Sequence, residues 1–262
     1  MMLSLDIAVS TYKPEGILRV EKMVIDPIPG IRYVVSWQEH ENAPIPDSLK
    51  HREDIEIHRL EKKGLSSNRN NSLAFCNSDL VLISDDDMQY SSSGLKTIID
   101  CFERNPEVEV GTFKVKYGIP KIYPDQDCNL SLPFPKKYFG SSVEIAFRKE
   151  PLRNLKFNEK MGLGTSKFQS GEDELFLIEA IKKGFNCRFF NSLIGTHPGE
   201  STGDLISPGI LRGQGLIIRI RYPYSSFLRI PLKAWRLWKS KKYPIYKGLL
   251  FLSEGAISKI PK

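Results

Sequence analysis

Three consecutive aspartates, Asp85, Asp86 and Asp87, follow Ser84 directly after the apolar run Leu80-Val81-Leu82-Ile83. Carboxylates this close repel one another unless a cation or hydrogen-bond donors compensate. Oxygen ligands of this kind suit Mg2+ or Mn2+, which keep waters and take one or two carboxylates together with substrate phosphates. The competing reading is an acidic turn ahead of a helix beginning at Ser92, where negative charge favours the helix dipole. A second acidic group is Glu172-Asp173-Glu174. Ser170-Gly171-Glu172-Asp173 fits the pattern of a hydroxyl and a carboxylate that cap a helix start, and a cap also fixes where the carboxylates point. His197 stands in Thr196-His197-Pro198; a neutral imidazole suits Mn2+, and the alternative is a structural histidine.

The elements that must position these groups alternate between strand and helix. Apolar runs and period-two alternation predict strands over 3–9, 31–36, 54–60, 80–83, 143–147 and 187–190. Helices are expected over 15–25, 67–75, 92–104 and 171–183, with Pro27, Asn105-Pro106 and Gly184 as stops. The run at 80–83 is apolar throughout and suits a central parallel strand. Residues 117–139 hold four prolines and the aromatics Tyr117, Tyr123, Phe134, Tyr138 and Phe139, which predicts a loop, either part of a binding site or plain surface. The alternation argues for an α/β fold with a mostly parallel sheet.

In chain order, Gly64-Leu65-Ser66-Ser67-Asn68-Arg69-Asn70-Asn71, then Asp85-x-Asp87, then Gly171-Glu172-Asp173-Glu174, then His197 resembles the family 2 glycosyltransferases of GT-A fold, over about residues 3–202. The resemblance implies a three-layer α/β/α sandwich, a nucleotide-sugar donor and a divalent metal, Mn2+ or Mg2+. It implies that Asp85 or Asp86 contacts the ribose, that Asp87 holds the metal bridging the diphosphate, and that His197 completes the coordination. Arg69 would add a second positive group, or else form an ordinary surface ion pair. Asp173 becomes the candidate general base for an acceptor hydroxyl, and Glu172 the residue that holds the acceptor's hydroxyls. Ser10, Thr11 and Tyr12 fall where the family contacts the nucleotide. The family commonly places an acidic residue after the second strand to read the base. Here the chain gives Val35-Ser36-Trp37-Gln38-Glu39-His40, so Glu39 would substitute, or Trp37 would stack on the base.

Composition bounds the rest. A chain of 262 residues with 40% hydrophobic and 26% charged residues is ordinary for a globular protein. Cys76, Cys101, Cys128 and Cys187 show neither disulfide nor zinc spacing. No signal peptide and no apolar stretch long enough for a membrane span is read, so a cytoplasmic protein is expected. The net charge of +7 is uneven: 207–262 carries 12 Lys or Arg against Glu254 alone, a charge of +11 that leaves 1–206 at −4. Over 227–238 the chain predicts a helix with Pro231 in its first turn, Arg229, Lys233 and Arg236 on one face, and Leu228, Leu232, Trp235 and Trp238 on another. That pattern describes either a helix lying in an anionic membrane interface or one packed on the catalytic domain. No nucleic-acid motif is present.

The expectation is a GT-A-like domain over 1–206 and a basic amphipathic helical tail over 207–262. The function expected is transfer of a sugar, with inversion, to a hydroxyl of a glycan or lipid-linked acceptor at the inner face of the plasma membrane. The rivals are a nucleotidyltransferase of related α/β build and a non-catalytic protein that binds membrane surfaces.

Overall fold

The computed structural model describes residues 2–135, 138–198 and 206–261. Strand β1 (Leu5–Tyr12) is parallel to β2 (Ile31–Gln38) on one side and to β4 (Leu80–Asp85) on the other, and β3 (Ile55–Leu60) extends the parallel half beyond β2. The second half begins with β8 (Ile145–Arg148), antiparallel to β4 and to β6 (Val110–Tyr117). Strand β9 (Cys187–His197) lies parallel to β6 and carries β5 (Gln89–Tyr90) and β7 (Cys128–Asn129) antiparallel to it. The long ladders are the parallel ones.

Strand alternation sorts side chains onto two faces. Leu5, Ile7 and Val9 of β1 and Leu80 and Leu82 of β4 pack with α1 (Gly16–Met23), α2 (Asp47–Lys50) and α4 (Ser92–Arg104) through Ile17, Val20, Leu49, Leu95 and Phe102. Ala8, Val81 and Ile83 face the other way. They meet α3 (Leu65–Phe75), α5 (Lys149–Leu152) and α6 (Glu172–Lys182) through Leu73, Leu152, Phe176 and Leu177. Each such large aliphatic or aromatic side chain contributes about 1.5–3 kcal/mol by leaving water. The result is the expected α/β/α sandwich.

Several expected boundaries move. β6 covers a stretch to which the pattern assigns nothing, because Gly111, Lys114 and Lys116 interrupt its apolar run. β9 continues past 190 through Asn191 and Ser192 as far as His197, so this histidine ends a strand rather than sitting in a loop. The strand expected over 143–147 begins as a 3-10 turn, Ser142–Glu144. The expected capping by Ser170 is absent: Gly171 is the residue that precedes α6, and the Ser170 hydroxyl donates instead to the Ile210 carbonyl at 3.0 Å.

The C-terminal segment is three helices, α7 (Pro208–Arg221), α8 (Ser226–Lys239) and α9 (Ile245–Ile257). Pro231 lies inside α8 rather than in its first turn. α7 and α9 cross at backbone distance: a Cβ on Gly215 would lie 2.0 Å from the Leu252 carbonyl oxygen, and one on Gly255 would lie 2.0 Å from that of Arg212. α7 also packs on α6, where Leu216 and Ile217 join Met161, Phe168 and Leu175. The last residues of the resemblance, up to Thr202, lie partly outside the described residues, as does the chain just before 206. Among the described residues no helix is long and apolar enough to cross a membrane.

Candidate active site

The carboxyl ends of the parallel strands meet along one edge, where ligands bind in open α/β sheets. The register sets Ser10 of β1 between Ser36 of β2 and Asp85 of β4. Helix α3 is held beneath this edge by polar bonds. Ser66 Oγ donates to the Met161 carbonyl at 2.6 Å, Asn68 Nδ2 to that of Thr11 at 2.8 Å, and Asn71 Nδ2 to Ser36 Oγ at 2.8 Å. Buried polar groups persist when paired in this way, which is why a segment with so weak an apolar face is nevertheless a buried helix.

Arg69 is the centre of the site. Its buried guanidinium donates through Nη1 to Asp173 Oδ1 at 2.7 Å and to Glu172 Oε1 at 3.1 Å, and through Nη2 to Asp85 Oδ1 at 3.1 Å. Burial alone would lower its pKa, but Asp173, Asp85 and Glu172 together raise it above its ordinary value. It is therefore a permanent cation that joins the end of β4 to the start of α6, and not the surface ion pair that sequence left as an alternative. One cation against three carboxylates leaves the cluster net negative.

Gly171 sets the entry angle of α6 with φ +91°, and a Cβ there would meet Ile217 Cγ1 at 2.6 Å. Glu172 then turns inward and is buried, while Asp173 is more exposed. Burial, and next the charge of Asp173, hold the Glu172 carboxyl above the usual carboxylate range against the pull of Arg69. A raised native pKa means that the stability tied to this group is complete below its unfolded pKa and declines as pH rises toward the native value. Glu172→Gln, which fixes the neutral form, is thus expected to gain Tm relative to wild type as pH goes from 5 to about 8. A difference in Tm that stays flat with pH would contradict this.

The aspartate triplet splits three ways. Asp85 faces the cleft beside Arg69. Asp86 turns back into the domain, accepting from Thr11 Oγ1 and, at 2.9 and 2.8 Å, from Nε and Nη2 of Arg19. Asp87 Oδ1 is buried, makes no hydrogen bond among the described residues, and lies 3.3 Å from His197 Nε2. The pairing of Gln89 with Thr196 brings these two residues together. Burial raises the Asp87 pKa, opposed by His197 and reinforced by Asp85 and Asp86. An oxygen and a nitrogen at this separation match neighbouring ligands of one octahedral ion, for which bond lengths of 2.0–2.1 Å give about 3 Å. Among the described residues no three His, Cys, Asp or Glu side chains gather closely enough to hold an ion by themselves. Asp87 and His197 are therefore the residues that would hold such an ion, if water and substrate supplied the other ligands.

A cleft of about 650 Å³ lies over this cluster, lined on one side by Arg69, Asp85, Glu172, Asp173 and His197. The aromatic-rich loop lines the other side from Tyr117 to Lys121. It is pinned by the fully buried Glu144, which accepts from Tyr117 Oη at 2.9 Å, Lys121 Nζ at 2.6 Å and Tyr123 Oη at 2.6 Å. Tyr12, at the end of β1, is exposed, and its ring has the cations of Lys13 and Arg19 5.4 and 5.8 Å from its centroid.

One expectation about the base fails on geometry. Trp37 is fully buried and donates its Nε1 to the Lys13 carbonyl at 2.8 Å, so it cannot stack on a ligand. Glu39 is exposed and pairs with Lys63 at 3.1 Å, and like Ser10, Thr11 and Tyr12 it lies outside the lining of the cleft. Sequence reasoning missed Arg19, which has no motif around it, and Gln214 of α7, which reaches the cleft from the tail. The loop at 117–139, read from its aromatic content as either part of a binding site or plain surface, contributes Tyr117 to Lys121 to the cleft.

No curated protein matches the chain. Among solved structures, S. aureus TarS 1–349 superposes with a TM-score of 0.60 at 17% identity over 82% of this chain and 64% of that one. The same fragment in complex with UDP-GlcNAc gives 0.62 at 16% identity, covering 94% and 75%. The chain thus spans 64% of TarS 1–349 in the first alignment, and the likeness establishes the fold. The model of Glycosyl transferase family 2 matches residues 42–176, just over half of the chain, including α3, the aspartate triplet and the start of α6. The chain belongs to glycosyl transferase family 2.

Proposed function

We propose that the protein transfers a sugar from a nucleotide-sugar donor to a hydroxyl of a glycan or lipid-linked acceptor, with inversion, using residues 1–206 as the catalytic domain. The observation that carries this reading is Arg69, which ties Asp85 to Glu172 and Asp173 at one cleft beside the Asp87–His197 pair. Asp85 faces the donor's ribose, and Asp86 with Arg19 holds the end of β1 in place beside it. The exposed Tyr12, with Ser10 and Thr11, stands where the base would lie. Asp87 and His197 are the residues that would hold Mn2+ or Mg2+, which when bound neutralises the diphosphate as it leaves.

In the transfer step the acceptor oxygen bonds to the anomeric carbon from the face opposite the leaving group. The bond to the nucleoside diphosphate breaks, and the hydroxyl proton passes to Asp173. Arg69 aims Asp173, and Glu172, whose carboxyl burial holds above its ordinary range, hydrogen-bonds the acceptor.

The test is calorimetric titration of the purified protein with UDP, GDP and TDP, each with Mn2+, Mg2+ or EDTA. UDP leads because the similar TarS structures include complexes with UDP and UDP-GlcNAc. Metal-dependent binding of one nucleotide, abolished in Asp87→Ala, is the expected result. Absence of binding in every arm would overturn the transferase reading. Turnover that releases pyrophosphate rather than a nucleoside diphosphate would move the assignment to a nucleotidyltransferase.

A further inference from the structure

Helix α8 has two apolar faces, whereas a helix packed at the rim of a domain needs one. Ile230 and Ala234 are buried with Leu211, Leu252 and Ala256 of the neighbouring helices. On the outer side, at spacings of four and three, Leu228, Leu232 and Trp235 remain 62%, 44% and 42% exposed, and Trp238 is 54% exposed. Contiguous exposed apolar surface of this kind marks an interaction site.

What covers it follows from the charge beside it. Arg229, Arg236 and Lys239 flank the stripe on the same helix, and Lys241, Lys242 and Lys247 continue into the next turn and α9, all of them exposed. The only acid in 207–262, Glu254, is taken by Arg212 at 2.6 Å. Tryptophans beside uncompensated cations match the interface of an anionic bilayer, where the rings lie at headgroup depth and the cations meet lipid phosphate.

The same helix reaches the catalytic cleft from its other edge. Lys233 lines a groove of about 200 Å³ with Asp173, Glu174, Phe139 and Gln214. Arg221 pairs with Glu174 at 2.9 Å, which leaves Lys233 as the cation of the groove without a carboxylate bonded to it among the described residues, facing Asp173 across the lining. We propose that the outer face of α8 docks on an anionic membrane surface, and that the groove past Lys233 admits an acceptor anchored in that surface through an anionic lipid headgroup. The second half rests on the reading of Asp173 as the base; the first half does not.

The full chain is mixed with phosphatidylcholine vesicles that contain or lack phosphatidylglycerol, and followed by sedimentation and tryptophan emission. Trp37 is buried already, so a blue shift reports Trp235 and Trp238. Expected are sedimentation and a blue shift with the anionic vesicles only, weakening with salt. Vesicle affinity should fall at least about tenfold in the double variant W235S/W238S, with Tm and nucleotide binding unchanged. Lack of partition into anionic vesicles overturns the proposal, as does partition that the double variant leaves intact. A solution dimer that W235S/W238S dissociates, with vesicles ignored, would give this face to a second copy of the chain. Nucleotide binding measured on the same samples separates failure here from failure of the transferase assignment. For the groove, Lys233→Gln should raise KM for a lipid-phosphate acceptor and leave donor KM unchanged; an unchanged acceptor KM sinks that half.

Discussion

Asp173→Asn is expected to lower kcat for sugar transfer by about 10²–10⁴-fold, the span typical of a lost general base. The substitution keeps the side chain's size and an oxygen able to accept from Arg69 Nη1, now at 2.7 Å from Asp173. It removes the capacity to take the acceptor's proton. Donor affinity should change little, because Asp173 sits on α6, whereas the edge proposed for the nucleotide is formed by β1 and β4. Steady-state kinetics with the donor varied, alongside nucleotide titration, reads both quantities. A variant with near wild-type kcat would remove Asp173 from the chemistry. One whose loss lies wholly in donor KM would place it at the donor instead.

The largest effect on stability is expected at Arg69. In Arg69→Met the packing volume is nearly kept, but Asp85, Glu172 and Asp173 lose their common cation within a buried cluster. Removing one partner of a buried ion pair costs about 3–5 kcal/mol, which for a chain of this size lowers Tm by roughly 6–20 °C. The deficit should shrink at pH 5, where Glu172, held above the usual carboxylate range by burial, carries its proton, and this separates lost charge from lost packing. Arg69→Lys should recover only part of it, since a single ammonium cannot fork toward carboxylates on two different elements. Thermal unfolding of the Met variant at the wild-type temperature would show that the three contacts contribute nothing.

The parallel half of the sheet was legible because its strands follow simple rules: 80–83 is apolar throughout and 54–60 alternates. The same period of two, applied to β2, would have turned Trp37 inward with Tyr33 and Val35, where the structure has it, so stacking on a base was an avoidable reading. β6 and the bounds of α7 and α9 within the expected helical tail were illegible for a different reason. Their glycines serve close packing against other elements, and nothing local distinguishes such a glycine from a break. Of the site, each motif could be read singly, but the link between them could not. Arg69, Asp85 and Asp173 are brought together by the sheet edge and by the angle at Gly171, and spacing along the chain does not encode that meeting. The Ser170 capping pattern shows the converse, a correct local motif overridden when Ile210 offered the hydroxyl another partner.

The packing of α7 on α6 bears on how this architecture can diverge. Ile217 fills the space beside Gly171, Arg221 reaches Glu174 at 2.9 Å and the Tyr138 carbonyl at 2.7 Å, and Gln214 shares the cleft with Asp173. A recombination event that replaced the C-terminal helices would therefore cut through a wall of the cleft rather than through a tether. Descendants that exchange this segment must alter residues 171 and 174 in step with it. The basic helices should therefore be inherited with the α6 region as one block.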